Sequence, residues 1–350
     1  MAKPEYTIPS MAEVRATKPN GFTSVSTFSG CGGSCLGLRM AGFNVVWASE
    51  FVEAARECYQ ANHDTPVDGR DIREVAPQEI LDKIGLDVGD LDLLEGSPPC
   101  AAFSSSGIRE KGWGKVKKYS AKAQRVDDLF FEFVRLLRGL RPRMFVAENV
   151  YGLVTGSSKG YFLRILAAMR EAGYNVECRL LDARWLGVPQ TRRRLFFIGA
   201  CNDLNLTIKF PDPKPYQYTL LEAVPWIRDK TYKADPAASM SRFAIGKRWR
   251  EINLGRSPVG KLFNLVRPQI DKPCPCVVAK SSDTSAASVA HPFECRKFDI
   301  KELKRICSFP EDFVTTGTYA QQAERLGRAV PPLMMREIAL KLRESLDESS

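Results

Sequence analysis

Histidine is almost missing from this chain, which has only two in 350 residues. The ten cysteines are not spaced like metal ligands, because Cys31 and Cys35 stand four positions apart and Cys274 and Cys276 two apart. Structural zinc sites use CxxC pairs or clusters of cysteine and histidine. The sequence therefore predicts no metal site, and in a reducing compartment its cysteines are expected to remain thiols.

Long apolar segments are missing as well. No run approaches the 18 apolar residues of a membrane span, and the opening MAKPEYTIPS lacks the apolar centre of a signal peptide. These two absences predict a cytoplasmic protein with no membrane partner, associated with the nucleoid if its source is bacterial.

Negative charge is in deficit, with 51 Lys and Arg residues against 41 Asp and Glu residues and a net charge of +10. A surplus of this size favours a polyanionic partner. Nucleic acid comes ahead of a membrane surface, because no basic amphipathic helix stands out in the sequence. The alternative is a generally basic surface that serves no such partner.

What is present is an alternation of short apolar runs with amphipathic ones between Thr23 and Ala200. Strand composition occurs at 25–28, 45–49, 91–96, 143–148, 176–181 and 195–200, and apolar residues recur at helical spacing in 52–63, 126–140 and 160–173. Strands that alternate with helices predict a doubly wound α/β sheet. Helical pattern returns at 298–313 and 331–346.

Changes in composition divide the chain into three parts. Residues 1–21 are polar and broken by prolines, which predicts a flexible N-terminal arm. Residues 22–200 and 291–350 carry the regular pattern of a main domain. Residues 201–290 are rich in proline, basic residues and isolated aromatics, which predicts a smaller domain of irregular structure.

A glycine-rich turn follows the first predicted strand, in the stretch VSTFSGCGGSCLGL. Gly30, Gly32 and Gly33 permit a tight turn and a close approach of the backbone to a ligand at the start of a helix. Glu50 ends the next strand, where a carboxylate can hold two ribose hydroxyls. Because the spacing is not GxGxxG, an adenosine-bearing cofactor is favoured over a dinucleotide. The alternative is an ordinary strand-to-helix turn with a surface glutamate.

Four further residues have the chemistry of a reactive site. Cys100 follows two prolines at the end of a predicted strand, where a thiol can act as a nucleophile or serve only as a small apolar side chain. Glu148 ends another buried strand, where an apolar setting raises a carboxyl pKa and suits it to donate a hydrogen bond to a ring nitrogen. Arg192 and Arg194 share one face of a strand and are suited to hold an anion.

Seven motifs together resemble the DNA (cytosine-5) methyltransferase family. They are FSGCGG, SEF, GSPPCAAFS, ENV, QTRRR, RKFDIKELKRICSFPEDF and LGRAVPP, and they occur in the family's order from about Phe22 to the last helix. The resemblance implies a Rossmann-like doubly wound methyltransferase sheet with S-adenosyl-L-methionine as cofactor. Residues 201–290 fall where the family has its target recognition domain, inserted before the C-terminal motifs.

The resemblance also implies roles for individual residues. Cys100 would add to C6 of a cytosine flipped out of double-stranded DNA, Glu148 would hold the base, and Arg192 and Arg194 would position both. The implied cofactor-binding residues are Phe28, Gly30, Gly32, Glu50, Phe51, Asp71, Ile72, Pro99, Leu129 and Arg328. The implied DNA-binding residues are Ser104, Ser106 and Gln190, in a protein expected to act as a monomer.

Two positions depart from the family pattern and leave alternatives open. Ala101 stands where glutamine is common after the cysteine, and Arg328 stands where asparagine is usual, beside the cofactor pocket. Arg328 could pair with the amino-acid carboxylate of the ordinary cofactor or contact the DNA backbone. It could also recognise the extra carboxylate of carboxy-S-adenosyl-L-methionine, which would make the reaction a cytosine carboxymethylation. Methylation of RNA is a lesser alternative. A regulator that only binds DNA is disfavoured, because the four candidate catalytic residues are all present.

Overall fold

The computed structural model describes residues 3–99, 117–119, 122–124, 128–154, 159–240, 249–250, 252, 254–255, 265–279 and 289–348. Cys100, Ala101, Ser104 and Ser106 lie outside the described residues.

A central sheet organises the described part of the chain. The strands are β1 (Thr23–Thr27), β2 (Asn44–Ser49), β3 (Val67–Asp68), β4 (Leu93–Gly96), β5 (Lys117–Tyr119), β6 (Lys122–Gln124), β7 (Met144–Val150), β8 (Tyr174–Asp182) and β9 (Arg193–Cys201). Seven of them form one sheet in the order β3-β2-β1-β4-β7-β9-β8, and β5 pairs with β6 separately. The ladders from β3 to β7 are parallel, and β9 runs antiparallel to both of its neighbours.

Helices cover both faces of this sheet. They are α1 (Met11–Arg15), α2 (Gly33–Met40), α3 (Glu53–Gln60), α4 (Pro77–Ile84), α5 (Leu129–Leu140), α6 (Lys159–Glu171), α7 (Leu220–Ala223), α8 (Ile300–Ile306), α9 (Tyr319–Arg328) and α10 (Pro332–Asp347). Apolar residues of α2 and α10 form the core on one face, and those of α4, α5 and α6 form the core on the other. Parallel strands covered on both faces explain why the strand sequences are nearly continuous apolar runs.

The N-terminal segment differs from its sequence prediction. Tyr6, Met11 and Val14 are buried against the main core, although the composition of residues 1–21 predicts a flexible arm. The Tyr6 hydroxyl donates to the carbonyl of Arg305 at 2.7 Å, and the backbone N–H of Met11 donates to Asp312 at 3.0 Å. The described part of the segment is therefore packed on the body of the protein.

The irregular region also shares the main core. From residues 201–240, the buried side chains in that core are Leu206, Ile208, Phe210, Tyr218, Leu220, Ala223, Val224 and Ile227. Cys274 and Val277 lie in the same core, whereas Met240, Trp249, Ile252, Leu265 and Ala290 form a small cluster apart from it. Within the described residues, every helix is too short or too polar to pass through a membrane.

Candidate active site at the carboxyl ends of the strands

The glycine-rich turn connects β1 to α2 through residues with left-handed backbone. Phe28 has φ +55°, which is uncommon for a residue other than glycine, and Gly30 and Gly32 have φ +59° and +89°. A Cβ at Gly32 would lie 2.2 Å from Nε2 of His63, whose buried ring packs beneath the turn. A Cβ at Gly33 would lie 2.5 Å from the carbonyl oxygen of Val330. The turn is therefore shaped by close backbone contacts that larger residues would break.

Glu50 closes the other side of this turn. Its carboxylate accepts hydrogen bonds from the backbone N–H groups of Gly30 at 2.8 Å and Val52 at 2.7 Å. Burial raises the pKa of Glu50 above its usual value, and these two hydrogen bonds oppose that effect. Each oxygen retains a second acceptor position. The side chain can thus organise the turn and still accept a hydroxyl from a ligand.

Arg73, which the sequence patterns do not single out, connects the predicted residue Asp71 with Asp128, the neighbour of the predicted residue Leu129. Arg73 forms ion pairs with Asp71 at 2.9 Å and with Asp128 at 2.5 Å. Asp128 is the residue immediately before Leu129, which is buried at the start of α5. Ile72 is buried beside Asp71, and Phe51 and Pro99 are half-buried. Arg73 is not distinguishable in the sequence from any other surface arginine.

Glu148 and Arg194 form an ion pair across adjacent strands, with Nε and Oε1 2.8 Å apart. The two strands, β7 and β9, are antiparallel, and Arg194 pairs in register with Val150, two residues beyond Glu148. Both side chains are largely buried, at 12% exposed for Glu148 and 17% for Arg194. Burial raises the pKa of Glu148, and the charges of Arg194 and Arg192 oppose that rise. The site therefore holds a carboxyl that takes up a proton more readily than an exposed glutamate.

Arg192 is buried and bonds to backbone rather than to a carboxylate. Its guanidinium donates to the carbonyl oxygens of Val277 at 3.2 Å, Gly327 at 3.0 Å and Arg328 at 3.0 Å. It therefore ties β9 to two distant segments, one in the C-terminal part of the irregular region and one at the end of α9. Arg192 and Arg194 point to different partners, although the sequence pattern treats them as equivalent.

Asn149 is a second residue whose importance the sequence analysis did not identify. Its side chain is buried, donates to the carbonyl of Pro98 at 3.1 Å, and accepts from the N–H of Val150 at 2.8 Å. Pro98 stands two residues before Cys100, so Asn149 links the strand that carries Glu148 to the segment that leads to the cysteine. The ENV motif contained this signal, but the sequence alone does not show the partner.

Two other predicted residues lie in settings different from those expected. Gln190, predicted to contact DNA, is fully buried, with its amide bonded to the carbonyl of Ile306, the sulfur of Cys307 and the N–H of Val277. Its amide is used to join internal segments, which removes it from the surface. Arg328 pairs with Glu324 one helical turn earlier, with Nη2 and Oε1 2.7 Å apart.

A family comparison identifies the chain over nearly its whole length. The model of the C-5 cytosine-specific DNA methylases matches residues 22–344. A Type II methyltransferase of Methanothermobacter thermautotrophicus is 28% identical, over 92% of this chain and 97% of that protein. A Type II methyltransferase of Haemophilus parahaemolyticus is 30% identical, over 91% of this chain and 85% of that protein.

Solved structures agree in fold. A candidate DNA modification methyltransferase encoded within a prophage of E. coli superimposes with a TM-score of 0.73 at 20% identity, covering 93% of this chain and 100% of that one. A DNMT2 variant of Spodoptera frugiperda superimposes with a TM-score of 0.66 at 16% identity, over 93% and 100% of the two chains. These likenesses confirm the predicted doubly wound methyltransferase sheet.

Proposed function

The chain belongs to the family of C-5 cytosine-specific DNA methylases, and on that premise we propose that it methylates C5 of a flipped-out cytosine in a specific double-stranded DNA sequence. The nucleophile in this proposal is Cys100, which bonds transiently to C6 of the base. The observation that carries the proposal is the Glu148–Arg194 pair, a buried carboxyl held by an arginine at the end of a central strand.

Each residue of the site has a task in this reaction. The thiolate of Cys100 adds to C6, and the electron pair of the broken C5–C6 π bond becomes available at C5. Glu148 holds N3 and the exocyclic amine, which stabilises the charge that the addition creates. Arg194 keeps Glu148 in place, and Asn149 holds the carbonyl of Pro98 just before the nucleophile. Once C5 carries the methyl group that the bound donor would supply, loss of the C5 proton expels Cys100 and restores the aromatic ring.

The glycine-rich turn fits S-adenosylmethionine, which supplies an electrophilic methyl group. Gly32 and Gly33 leave no room for side chains, because a Cβ would meet His63 at the first and the carbonyl of Val330 at the second, so only glycine keeps the close shape of the turn. Glu50 stands at the turn with acceptor positions suited to ribose hydroxyls. Asp71, Ile72, Phe51, Pro99 and Leu129 extend the proposed pocket along the same edge of the sheet.

Arg328 does not favour carboxymethylation over methylation. A guanidinium near the positive sulfonium has an electrostatic cost unless an anion lies close to it. Glu324 is such an anion, at 2.7 Å from Arg328. The arginine is therefore compensated by the protein itself and does not require a carboxylate on the transferred group. The two relatives named above are likewise Type II methyltransferases, which supports methyl transfer to DNA over the RNA alternative.

The test of the function is the fate of Cys100. DNA from cells that express the protein should show 5-methylcytosine at one sequence by bisulfite sequencing, and Cys100→Ala should abolish it. DNA that contains 5-fluorocytosine should form an adduct with Cys100 that survives denaturation, because the fluorine cannot leave as the proton does. Cys178→Ala, which changes a partly buried thiol on β8, is the matched control and should keep full activity. Normal turnover by Cys100→Ala would overturn the proposed mechanism.

A further inference from the structure

A buried carboxyl that the mechanism does not use lies in the middle of the sheet. Glu95 on β4 is 1% exposed and stands in register between Ser26 on β1 and Val146 on β7. The Ser26 hydroxyl donates to Glu95 Oε2 at 2.6 Å. A charged side chain in a central strand is costly unless it has such partners, so its presence calls for a physical reason.

A chain of hydroxyls connects Glu95 to the glycine-rich turn. The hydroxyl oxygens of Ser26 and Ser29 lie 2.8 Å apart, and Ser29 immediately precedes Gly30. The N–H of Gly32 donates to the carbonyl of Ser29 at 2.9 Å. A change in the charge or position of the Glu95 carboxyl therefore reaches the turn through two hydrogen-bonded side chains.

The strand order places Glu95 between the two ends of the proposed active site. β1 leads into the glycine-rich turn, β7 carries Glu148, and β4 lies between them. Side chains two positions apart on a strand share a face, so Glu95, opposite Val146, is on the same face as Glu148. With the cofactor at the turn after β1 and the base at Glu148 on β7, the methyl group would pass the carboxyl end of β4, the strand that carries Glu95.

We propose that Glu95 is a positioning residue whose negative charge favours the cationic sulfonium of the methyl donor over the uncharged thioether that remains after transfer. This inference rests on the proposed function, because it takes S-adenosylmethionine as the ligand of the turn. The ionised carboxylate attracts the sulfonium through an interior of low dielectric constant. After transfer the positive charge is gone, and the attraction that held the donor no longer holds the product.

The surroundings of Glu95 leave its ionisation adjustable near neutral pH. Burial raises the pKa of Glu95 to about 7, hydrogen bonds from Ser26 and Ser34 oppose this rise, and the charge of Glu148 adds to it. From α2 the group that faces it is Cys35, a thiol whose pKa burial raises to about 11, so that it carries no charge at neutral pH. From β7 it is Glu148, which is itself paired with Arg194.

The experiment compares two ligands on the purified protein across pH. The dissociation constants of S-adenosylmethionine and S-adenosylhomocysteine are measured by calorimetry at pH 6, 7 and 8. The amino group of each ligand titrates in the same way whichever protein is present, so the difference between the parent and a variant removes the contribution of the ligands themselves. We expect the preference for the sulfonium to grow about three- to tenfold from pH 6 to pH 8, since one pKa unit of coupling corresponds to a factor of ten.

Two variants test whether the pH dependence of the ratio of dissociation constants comes from Glu95. Glu95→Gln keeps the size of the side chain and should give a ratio that changes with pH only as far as the ligands themselves titrate. Glu148→Gln removes the other carboxyl on this face, and because the charge of Glu148 contributes to the raised pKa of Glu95, the pH-dependent ratio should persist but shift to lower pH. If Glu95→Gln does not fold, the parent and Glu148→Gln titrations decide between the outcomes.

Failure of the inference on Glu95 and failure of the proposed function give different results. A ratio that is independent of pH in the parent, or that loses its pH dependence in Glu148→Gln, overturns the role of Glu95 and leaves the methyltransferase function standing. Failure of the parent to bind either ligand overturns the proposed function itself. Equal weakening of both ligands in Glu95→Gln, with the pH dependence retained, assigns Glu95 a purely structural role and also overturns the inference.

Discussion

At the scale of single residues, the site depends on how buried charges are compensated. Glu148 has a guanidinium partner in Arg194, whereas Glu95 has hydroxyl partners and the charge of Glu148 nearby. Arg192 donates to three carbonyl oxygens in place of a carboxylate. The kind of partner decides which of these buried side chains can gain or lose a proton during a reaction and which keep a constant charge.

Arg194→Ala is expected to destabilise the protein in a pH-dependent way. Burial already raises the pKa of Glu148 in the folded state. The free energy of unfolding therefore decreases as pH rises and the buried carboxyl has to ionise. Arg194 opposes this rise, and its loss raises the pKa further. The deficit should therefore be smaller at pH 5 than at pH 8, where it should reach about 2 kcal/mol.

Urea unfolding of Arg194→Ala and the parent at the two pH values measures this difference. Arg193→Ala is the matched control, because Arg193 is exposed and its guanidinium lies over the ring of Tyr151 at 4.8 Å. Its effect should be small and the same at both pH values. Equal losses for Arg194→Ala at pH 5 and pH 8 would contradict the role given to the ion pair.

The sequence identifies the ends of the strands well and the connections between side chains poorly. Glu50 and Glu148 are predictable because each ends an apolar run, where a carboxyl is conspicuous. Glu95 also ends an apolar run, but its significance depends on Ser26, which stands 69 positions away and comes beside it only in the sheet. The inward position of Gln190 is unpredictable for the same reason, since its partners lie between residues 277 and 307.

At the scale of elements, the glycine-rich turn and the end of α9 support each other. The carbonyl of Val330 lies where a side chain at Gly33 would be, and Arg192 fixes the carbonyls of Gly327 and Arg328 nearby in the chain. The N-terminal end of α2 is thus held by a segment from the opposite end of the sequence. Packing of this kind explains why a turn without regular hydrogen bonding keeps a defined shape.

Gly33→Ala should therefore weaken both the fold and the cofactor site. The new Cβ would lie 2.5 Å from a backbone oxygen and 3.0 Å from Cβ of Ala329, and neither can rotate away. We expect a loss of about 2 kcal/mol in unfolding free energy and a severalfold weaker affinity for S-adenosylmethionine. Urea unfolding and calorimetry give the two quantities.

Gly160→Ala is the control for this substitution. Gly160 lies near the start of α6, and no heavy atom is within 4 Å of the place that a Cβ would take, so alanine adds no contact there. Its stability should stay the same or increase by up to about 1 kcal/mol, because alanine restricts the unfolded chain. A Gly33→Ala protein as stable as Gly160→Ala would show that the segment at Val330 yields, contrary to the packing argument.

The elements themselves are largely predictable, with informative exceptions. The strands β1, β2, β4, β7, β8 and β9 and the helices α3, α5 and α6 follow from apolar periodicity, and each is expected within a few residues of its observed bounds. The short strands β3, β5 and β6 are not predicted. The packed N-terminal segment is not, because Tyr6, Met11 and Val14 are isolated apolar residues whose partners include residues near 305 and 312. A pattern detects contacts close in sequence, and these contacts are remote.

At the scale of the whole molecule, the change in composition after residue 200 does not coincide with the start of a separate core. Residues 201–240 and 265–279 contribute buried side chains to the main core, although their sequence is irregular. Residues 241–264, which we call the basic segment, contain six Lys and Arg residues and a single acidic residue, Glu251. A surplus of positive charge with interspersed aromatic residues is typical of a DNA-binding surface.

The last prediction follows from this division. Replacing the basic segment by the corresponding segment of another DNA methyltransferase should transfer that enzyme's recognition sequence, because base contacts specify and phosphate contacts only position. Replacing all of 201–290 should transfer recognition equally well, yet lower the unfolding free energy by about 1–3 kcal/mol, because the donor's side chains would fit the main core imperfectly. Bisulfite sequencing and urea unfolding measure the two effects separately. If only the larger exchange changes the methylated sequence, the specificity residues lie within 201–240 or 265–290. The basic segment then contributes to affinity alone, and exchanging it should change how steeply DNA binding weakens with salt.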